Sequence, residues 1–424
     1  MAKILGGIGE ALADRNFRIF SVGSITSWIT YFVQNVAFSW TAWEITHSTA
    51  WLAGIYLLTT IATIIFLPLG GVFADRHDRF RLVQVAYACD CLKALALAIL
   101  AFTDHLGLVA LCICAILHGI IHSFSVPASY GMLPRFVARE RLASAIAVNA
   151  AYSQFAIFAG PALAGWILVH WGAATAFAVN VAGYLVYFAA SARLRTPADY
   201  RQARTIRRPI TQEVMAGGRY IFGHAGLTAF MALILVGDAI SAATYQMMPA
   251  YADLELGKGV GAVSLLYGAA GIGATMAAIW LAQGGAARAT PQRVLWAFLG
   301  FAIAIYLMAG SPFLYLSVAA MLLYGFSGET RRTVTVSIMQ SSVEDAQRGR
   351  VMATQHLLTQ IAGGIGTLGV GLAAHQLGLR LPLACAAILL TLVWLAIFAR
   401  RGRIAAAFAD RRAAEISTAT TVAK

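Results

Sequence analysis

The sequence predicts an all-α membrane protein with twelve transmembrane helices in two pseudo-symmetric six-helix bundles. Three observations support this prediction. Hydrophobic residues make up 60% of the 424 residues and the mean hydropathy is +0.73, whereas soluble domains are about 45–50% apolar. Charged residues are only 12% of the chain, and most lie in short segments between long apolar runs. The loops after the fourth and tenth runs are both basic, which indicates a repeat of six helices.

A helix needs about 20 mostly apolar residues to cross the roughly 30 Å hydrocarbon core of a bilayer. Twelve runs are candidates, at about 19–43, 51–74, 83–103, 108–130, 143–168, 175–192, 226–252, 261–283, 294–310, 313–337, 352–376 and 382–399. Of the 31 Lys and Arg residues, 26 fall in the ends and in alternate connections, two (Lys258 and Arg380) fall on the opposite side, and three fall inside runs. The positive-inside rule therefore predicts a multi-pass membrane protein with both termini cytoplasmic. We expect this membrane to be the inner (plasma) membrane.

The longest polar stretch between two runs separates the first six from the last six. We therefore predict an N-terminal bundle at 1–192, a cytoplasmic linker at 193–225, a C-terminal bundle at 226–400 and a basic tail at 401–424. Within the linker, 211–222 is predicted to form a helix on the cytoplasmic membrane surface, with Ile221 toward lipid.

Several function classes are excluded. The net charge is +13, but the basic residues are scattered and form no nucleic-acid recognition module. No Gly-x-x-x-x-Gly-Lys-Ser/Thr loop for ATP is present, and neither a nucleophile–base motif nor a soluble domain indicates an enzyme. The five cysteines all lie in apolar runs. We expect no cofactor, no metal ion, no nucleic-acid partner and a monomeric protein in the lipid bilayer.

The connection after the second run carries a charged motif, Gly71-x-x-x-Asp75-Arg76-x-x-Arg79-x-Arg81. Gly71 and Asp75 lie one helical turn apart, so the glycine would let a neighbouring helix approach, and Asp75 would accept from N–H groups at that helix's end. The motif resembles the loop between helices 2 and 3 of the major facilitator superfamily, and we predict that it gates the cytoplasmic side. A generic positive-inside loop would explain the arginines but not the spacing. Asp78 stands where the family has a glycine.

Further motifs resemble the enterobactin-exporter-like and macrolide-efflux-like branch of that superfamily, among them Asp14-Arg15-Asn16-Phe17-Arg18, Pro127-Ala128, Leu133-Pro134 and Arg348-Gly349-Arg350-Val351-Met352. The resemblance spans about residues 11–400. It implies a secondary transporter that alternates access by rocking two halves around a central site. The favoured function is proton-coupled export of a small amphiphilic molecule, such as a drug, a siderophore or a lipid-like metabolite. The alternatives are uptake or facilitated diffusion of a small organic anion, or a membrane scaffold or embedded enzyme.

The fifth run contains Gly160-Pro161-x-x-Ala164-Gly165, which resembles the antiporter motif of proton-driven exporters. Small residues one turn apart permit close helix contact, and Pro161 bends a helix by removing a backbone donor. Such a bend could seal the closed side against proton leak. The upstream glycines of the family motif are alanines here, so ordinary small-residue packing is the alternative.

Charges inside the predicted helices are candidates for transport because they are expensive in a membrane. Asp238 lies near the middle of the seventh run, and a carboxylate without a partner can alternate between protonated and ionised forms. Asp238 and Glu329 are the candidates for proton coupling, although Asp238 could instead make a structural hydrogen bond and Glu329 could pair with an arginine. Arg331 or Arg332 could bind an anionic substrate or reach the headgroups.

Polar residues on other runs are candidates for a substrate cavity. His118 and His122 share one helix face and could bind metal, relay protons or line a polar cavity. The remaining cavity candidates, for which packing hydrogen bonds are the alternative, are Thr30, Gln34, Asn35, Gln355 and His356. Asp90 and Lys93 lie three apart on the third run, and we interpret them as a structural pair on a peripheral helix.

Overall fold

A computed structural model describes residues 14–129, 136–137, 141–194, 210–284 and 290–402, and within these ranges it contains helices and no strand. The first helices are α1 (Arg15–Thr46), α2 (Thr49–Arg76), α3 (Arg79–Phe102), α4 (Leu108–Ser129) and α5 (Leu142–Ser191). The others are α6 (Ile210–Phe222), α7 (Ala225–Gln246), α8 (Val260–Gly284), α9 (Pro291–Gly310), α10 (Leu314–Ser342), α11 (Asp345–Leu377) and α12 (Arg380–Ala399). A short helix (Met248–Ala250) and a π-helical turn (Tyr251–Glu255) lie between α7 and α8.

Within the described part of the chain, nine helices are long and apolar enough to cross a membrane. One of them, α5, contains both the fifth and the sixth predicted runs. Gly172 interrupts α5 with a φ of 76°, a left-handed conformation that glycine adopts without steric penalty. The first and tenth predicted runs lie on α1 and α10, which are long enough but carry more polar side chains.

Residue contacts divide the protein into two compact units. The first unit contains α1 to α5 and residues 246–271; the second contains α6, α7 up to Tyr245, α8 from Ile272, and α9 to α12. In the first unit, α1 packs along α5, α2 packs along α4, and α3 packs against α4 and α5. In the second unit, α9 packs against α10 and α12. The domain limits at 192, 225 and 400 stay a prediction.

The linker helix α6 packs onto the second unit. Ile221 is completely buried in a cluster with Leu227 and Met231, and the hydroxyl of Thr354 on α11 donates to the Val214 carbonyl at 3.1 Å. The expectation that Ile221 faces lipid is therefore wrong. Its side chain removes more apolar surface from polar surroundings inside the protein than it would at the membrane surface.

Asp78 begins α3. Its carboxylate accepts a hydrogen bond from the Phe80 N–H at 2.9 Å, and it occupies the N-cap position with extended backbone. The Arg79 guanidinium closes the turn by donating to the Ala74 carbonyl at 3.3 Å. An aspartate suits this position because it satisfies an unpaired N–H and faces the positive end of the helix.

Replacing Asp78 by alanine should weaken the first turn of α3 by about 0.5–2 kcal/mol, because the Phe80 N–H loses its acceptor. Hydrogen–deuterium exchange of the purified protein should show faster exchange in the peptide that covers 79–84. Asp78→Ser keeps an acceptor and serves as the control with near-normal protection. Equal protection in Asp78→Ala and the unmodified protein would refute the capping role.

Candidate functional site

A cavity of about 450 Å³ lies inside the first unit, between α1, α3, α4 and α5. Its volume falls within the range of small-molecule sites, about 300–1,000 Å³. Aromatic and polar side chains share the lining, which includes Trp28, Tyr31, Tyr87, Tyr184, Tyr187, Ser24, Ser27, Asp90, His118, His122, Ser125 and Asn149. Such a mixture can hold a ligand that has both apolar and hydrogen-bonding surface.

Three titratable groups meet at the wall of this cavity. Lys93 and Asp90 form an ion pair on α3, with side chains 3% and 10% exposed. The Lys93 ammonium lies 3.1 Å from Nδ1 of His118 on α4, and that nitrogen is 3.7 Å from Oδ1 of Asp90. An ammonium can only donate, so a hydrogen bond from Lys93 requires Nδ1 as the acceptor and places the imidazole proton on Nε2. We call these three residues the α3–α4 cluster.

The two predicted cavity histidines lie together. The rings of His118 and His122 are 5.9 Å apart between centroids, and Tyr31 on α1 lies 5.9 Å from His118. Among the described residues, no group of three His, Cys, Asp or Glu side chains could hold a metal ion. The two histidines therefore add polar, titratable surface to the cavity wall.

The sequence analysis missed the place of Asp90 and Lys93. It predicted the ion pair but put it on a peripheral helix, whereas Asp90 lines the cavity and Lys93 contacts His118. The available signal was a pair of opposite charges one turn apart inside an apolar run, which marks a functional site by default. The face of α3 that points inward is set by helix packing and could not be read from that spacing.

Asp238 has a partner in the second unit. The Arg331 guanidinium donates to Asp238 Oδ1 at 2.6 Å and to the Gly237 carbonyl at 3.4 Å. The Arg331 side chain is only 5% exposed, and that of Asp238 is 32% exposed. The expectation of a carboxylate without a partner is therefore wrong. The Arg331 guanidinium on α10 therefore holds the Asp238 carboxylate on α7.

Arg331 is also held by aromatic rings. Its guanidinium carbon lies 5.4 Å from the ring centroid of Phe298 and 4.5 Å from that of Phe301, both on α9. Cation–π contacts of this kind stabilise a charge that is removed from water. Arg331 therefore serves the packing of α7, α9 and α10 in this structure.

Glu329 pairs with Arg332 on the same helix. Both Nη2 and Nε of Arg332 donate to Glu329 Oε2, at 2.8 and 3.1 Å, and the Thr333 hydroxyl donates to Oε1 at 2.8 Å. The Glu329 side chain is 11% exposed and that of Arg332 is 65% exposed. The pairing with an arginine that the sequence left open is the arrangement in the structure.

The glycines of the antiporter-like motif lie at close helix contacts. A Cβ on Gly160 would lie 2.4 Å from Cβ of Phe32 on α1, and one on Gly165 would lie 2.3 Å from the Ser264 side chain on α8. Pro161 lies inside α5 between these contacts. The motif thus packs α5 against two other helices of the first unit.

The close approach predicted at Gly71 occurs one residue earlier. A Cβ on Gly70 would lie 1.9 Å from the Ser123 carbonyl oxygen on α4, whereas a Cβ on Gly71 would meet nothing described within 4 Å. In the same loop Arg76 and Arg81 are exposed and Arg79 is half-buried. The side chain of Asp75 lies outside the described residues.

The other cavity candidates lie in different surroundings. Thr30 and Gln34 are buried, and Gln34 accepts a hydrogen bond from Asn180, so both take part in the packing of α1 on α5. Asn35 is half-buried and lies near the cavity residue Tyr31. On α11, Gln355 is buried and His356 is exposed. The structure brings His118 and His122 together with Asp90, and it leaves the other candidates at separate places.

Comparisons with known proteins agree with this architecture. The family described as transmembrane secretion effector matches residues 10–418. The enterobactin exporter EntS of Shigella boydii serotype 4 is 25% identical over 330 residues, which are 76% of this chain and 77% of that protein. The same exporter of Escherichia coli O139:H28 is 24% identical over the same shares of both chains.

Two solved structures are similar in fold. The nucleoside transporter NupG has a TM-score of 0.66 at 13% identity and covers 91% of this chain and 98% of its own. A bacterial homologue of the human lysosomal transporter Spinster, in an inward-facing and unoccupied conformation, has a TM-score of 0.69 at 12% identity. It covers 93% of this chain and 98% of its own.

At these identities, the solved structures show the fold alone: an all-α membrane protein with the major facilitator fold. The long apolar helices and the Gram-negative relatives indicate a multi-pass protein of the inner membrane. Its relatives and its fold are those of transporters and not of enzymes. The match over residues 10–418 therefore shows that the chain belongs to the transmembrane secretion effectors, a family of membrane transporters in the enterobactin-exporter-like branch of the major facilitator superfamily.

Proposed function

We propose that this transporter exports small amphiphilic molecules by alternating access, driven by the proton gradient. The observation that supports export as the direction of transport is the similarity to enterobactin exporters, which covers 76% of this chain and 77% of the relative. The proposal includes a monomer in the inner membrane with both termini cytoplasmic, in keeping with the distribution of Lys and Arg.

The cavity of the first unit supports the substrate class. Aromatic rings such as Trp28 and Tyr184 offer apolar faces, while Ser24, Asn149 and His122 offer hydrogen bonds. Pockets of this kind bind ligands by apolar contact and orient them with a few polar groups. A siderophore, a drug or a lipid-like metabolite combines these two kinds of surface.

Proton coupling at Asp238 or Glu329 remains part of the proposal. Each carboxylate is held by an arginine, so protonation would release Arg331 or Arg332 and loosen a contact on α10. The helix contacts at Gly160 and Gly165 would keep α5 closed to protons, and the loop with Asp75 would gate the cytoplasmic side. Both roles follow from the resemblance to the antiporter and loop motifs.

Uptake of an organic anion is the weaker candidate. It would require an arginine that is available to a ligand, but Arg331 is engaged by Asp238 and two phenylalanine rings. Arg332 is exposed, yet its guanidinium already makes three hydrogen bonds to Glu329. An anion would have to compete with a carboxylate in both places.

The test is retention of a panel of hydrophobic dyes, antibiotics and siderophores in cells with and without the protein. We expect lower retention of at least one compound in the producing cells, and a protonophore should restore it. Proteoliposomes with an imposed pH gradient and no ATP serve as the control for indirect effects of the protonophore. Higher accumulation, or depletion that persists without a gradient, would contradict proton-driven export.

A further inference from the structure

We propose that the α3–α4 cluster of Asp90, Lys93 and His118 is a further proton-binding site that contributes to coupling export to the gradient, with His118 as the group that takes up the proton. This inference rests on the proposed function. It adds a proton site in the first unit to the candidates Asp238 and Glu329 of the second unit.

Exposure shows where a proton enters the cluster. The His118 side chain is 23% exposed and His118 lines the cavity, whereas the Lys93 side chain is 3% exposed and that of Asp90 is 10% exposed. Water in the cavity therefore reaches the imidazole first. Asp90 also lines the cavity, and Lys93 is the most deeply buried of the three.

The geometry gives protonation a structural consequence. In the present arrangement Nδ1 of His118 accepts from the Lys93 ammonium at 3.1 Å. A proton delivered by hydronium to Nδ1 converts that nitrogen into a donor, and the hydrogen bond from Lys93 must break. Two cations then face one carboxylate, since Asp90 Oδ1 is already 3.7 Å from Nδ1.

The carboxylate can resolve this competition by exchanging partners. When Nδ1–H donates to Asp90, the Lys93 ammonium is displaced from a position in which it is almost fully buried. Asp90 and Lys93 are on α3 and His118 is on α4, so the exchange changes the contact between two helices that line the cavity. Release of the proton to water restores the original pairing.

The neighbours of the cluster come from five helices. The titratable groups packed around the cluster are Tyr31 on α1, Tyr56 on α2 beside Tyr31, Tyr87 and Cys91 on α3, Cys114 and His122 on α4, and Tyr184 on α5. Tyrosine and cysteine are neutral there. His122 is the one neighbour that could share the proton, and its ring is 5.9 Å from that of His118.

The α3–α4 cluster differs from the pair of Asp238 and Arg331 in which group a proton leaves without a partner. A guanidinium does not deprotonate, so a proton on Asp238 leaves Arg331 unpaired with its side chain 5% exposed. At Asp90, by contrast, a second cation forms at the moment of protonation and is in position to replace the first. The cluster therefore exchanges partners without leaving the carboxylate unpaired.

The first measurement uses the purified full chain with isotopically labelled histidine and follows the imidazole signal of His118 by NMR as pH is varied. Lys93→Gln should move the His118 midpoint to higher pH and Asp90→Asn to lower pH, each by about 1–2 pH units, the effect of one adjacent charge. If Asp90→Asn does not fold, the double variant Asp90→Asn/Lys93→Gln replaces it, and its midpoint should lie below that of Lys93→Gln. A midpoint unaffected by either single change would overturn the proposal.

The second measurement repeats the retention assay with the compound that the unmodified protein depletes most. His118→Gln should reduce the protonophore-sensitive depletion by about tenfold or more. The control is His170→Gln, which changes an exposed histidine on α5 and should leave the depletion intact. Full coupling in His118→Gln would overturn the assignment of the proton site. Depletion by the unmodified protein that a protonophore does not affect would instead overturn the proposed function.

Discussion

Asp238→Ala should destabilise the second unit more than Arg331→Met, and the double variant should recover most of the loss. Removing the carboxylate leaves a guanidinium with its side chain 5% exposed, whose Nε already has no partner in the described part of the chain. Leaving one charge of a buried pair uncompensated costs about 3–5 kcal/mol. Arg331→Met instead leaves Asp238 without its partner. Because Asp238 is 32% exposed, it can hydrogen-bond to water, and we expect a loss of about 1–3 kcal/mol in the free energy of unfolding.

Unfolding in mixed micelles, followed by tryptophan fluorescence, measures the stabilities of the two single variants and the double variant directly. The double variant should lie close to the unmodified protein, because replacing both members of a buried pair by apolar groups is often neutral. The four proteins form a thermodynamic cycle, so the coupling energy of the two residues is the change in the double variant minus the sum of the changes in the two single variants. An Asp238→Ala protein as stable as the unmodified one would show that Arg331 does not depend on this carboxylate.

Gly70→Ala and Gly71→Ala should have opposite effects although the residues are neighbours on α2. A Cβ at Gly70 would lie 1.9 Å from a carbonyl oxygen and 2.6 Å from the carbonyl carbon of Ser123, which are backbone atoms of α4. Backbone cannot rotate away as a side chain can, so α2 and α4 must separate. Overpacking costs about 1–3 kcal/mol and more where the backbone has to move.

Gly71→Ala is the matched control. A Cβ there meets no described atom within 4 Å, and alanine favours a helix over glycine by about 1 kcal/mol. We expect Gly70→Ala to lower the thermal midpoint of the purified protein and Gly71→Ala to leave it unchanged or raise it. Equal midpoints for the two variants would show that α2 and α4 can separate freely.

The positions of the helices were predictable because they depend on local composition. The predicted runs lie on helices, except that the seventh continues past the end of α7 into the short helix and the π-helical turn. The break at Gly172 coincides with the predicted gap between the fifth and sixth runs. Bilayer thickness sets the length of an apolar segment whatever its neighbours are. The motifs around Asp75 and Gly160 likewise identified the family without any tertiary information.

The partners of the charged and small residues were not predictable in the same way. Spacing along one helix correctly allowed Glu329 to pair with Arg332 and Asp90 with Lys93, because residues three apart are neighbours on a helix surface. It could not show that Arg331 reaches Asp238 on another helix, or that Lys93 meets His118 across α3 and α4. Nor could it choose between Gly70 and Gly71 as the contact with α4.

Membrane insertion and family membership thus follow from the order of apolar and charged residues, since both depend on properties that each segment carries alone. The candidate proton site depends on the rotation and depth of helices relative to one another. A rotation of one residue, about 100° on a helix, would turn Asp90 away from the cavity or bring Gly71 to the position of Gly70. Packing of side chains from several helices decides that rotation, and it places Asp90, Lys93 and His118 within 4 Å of one another.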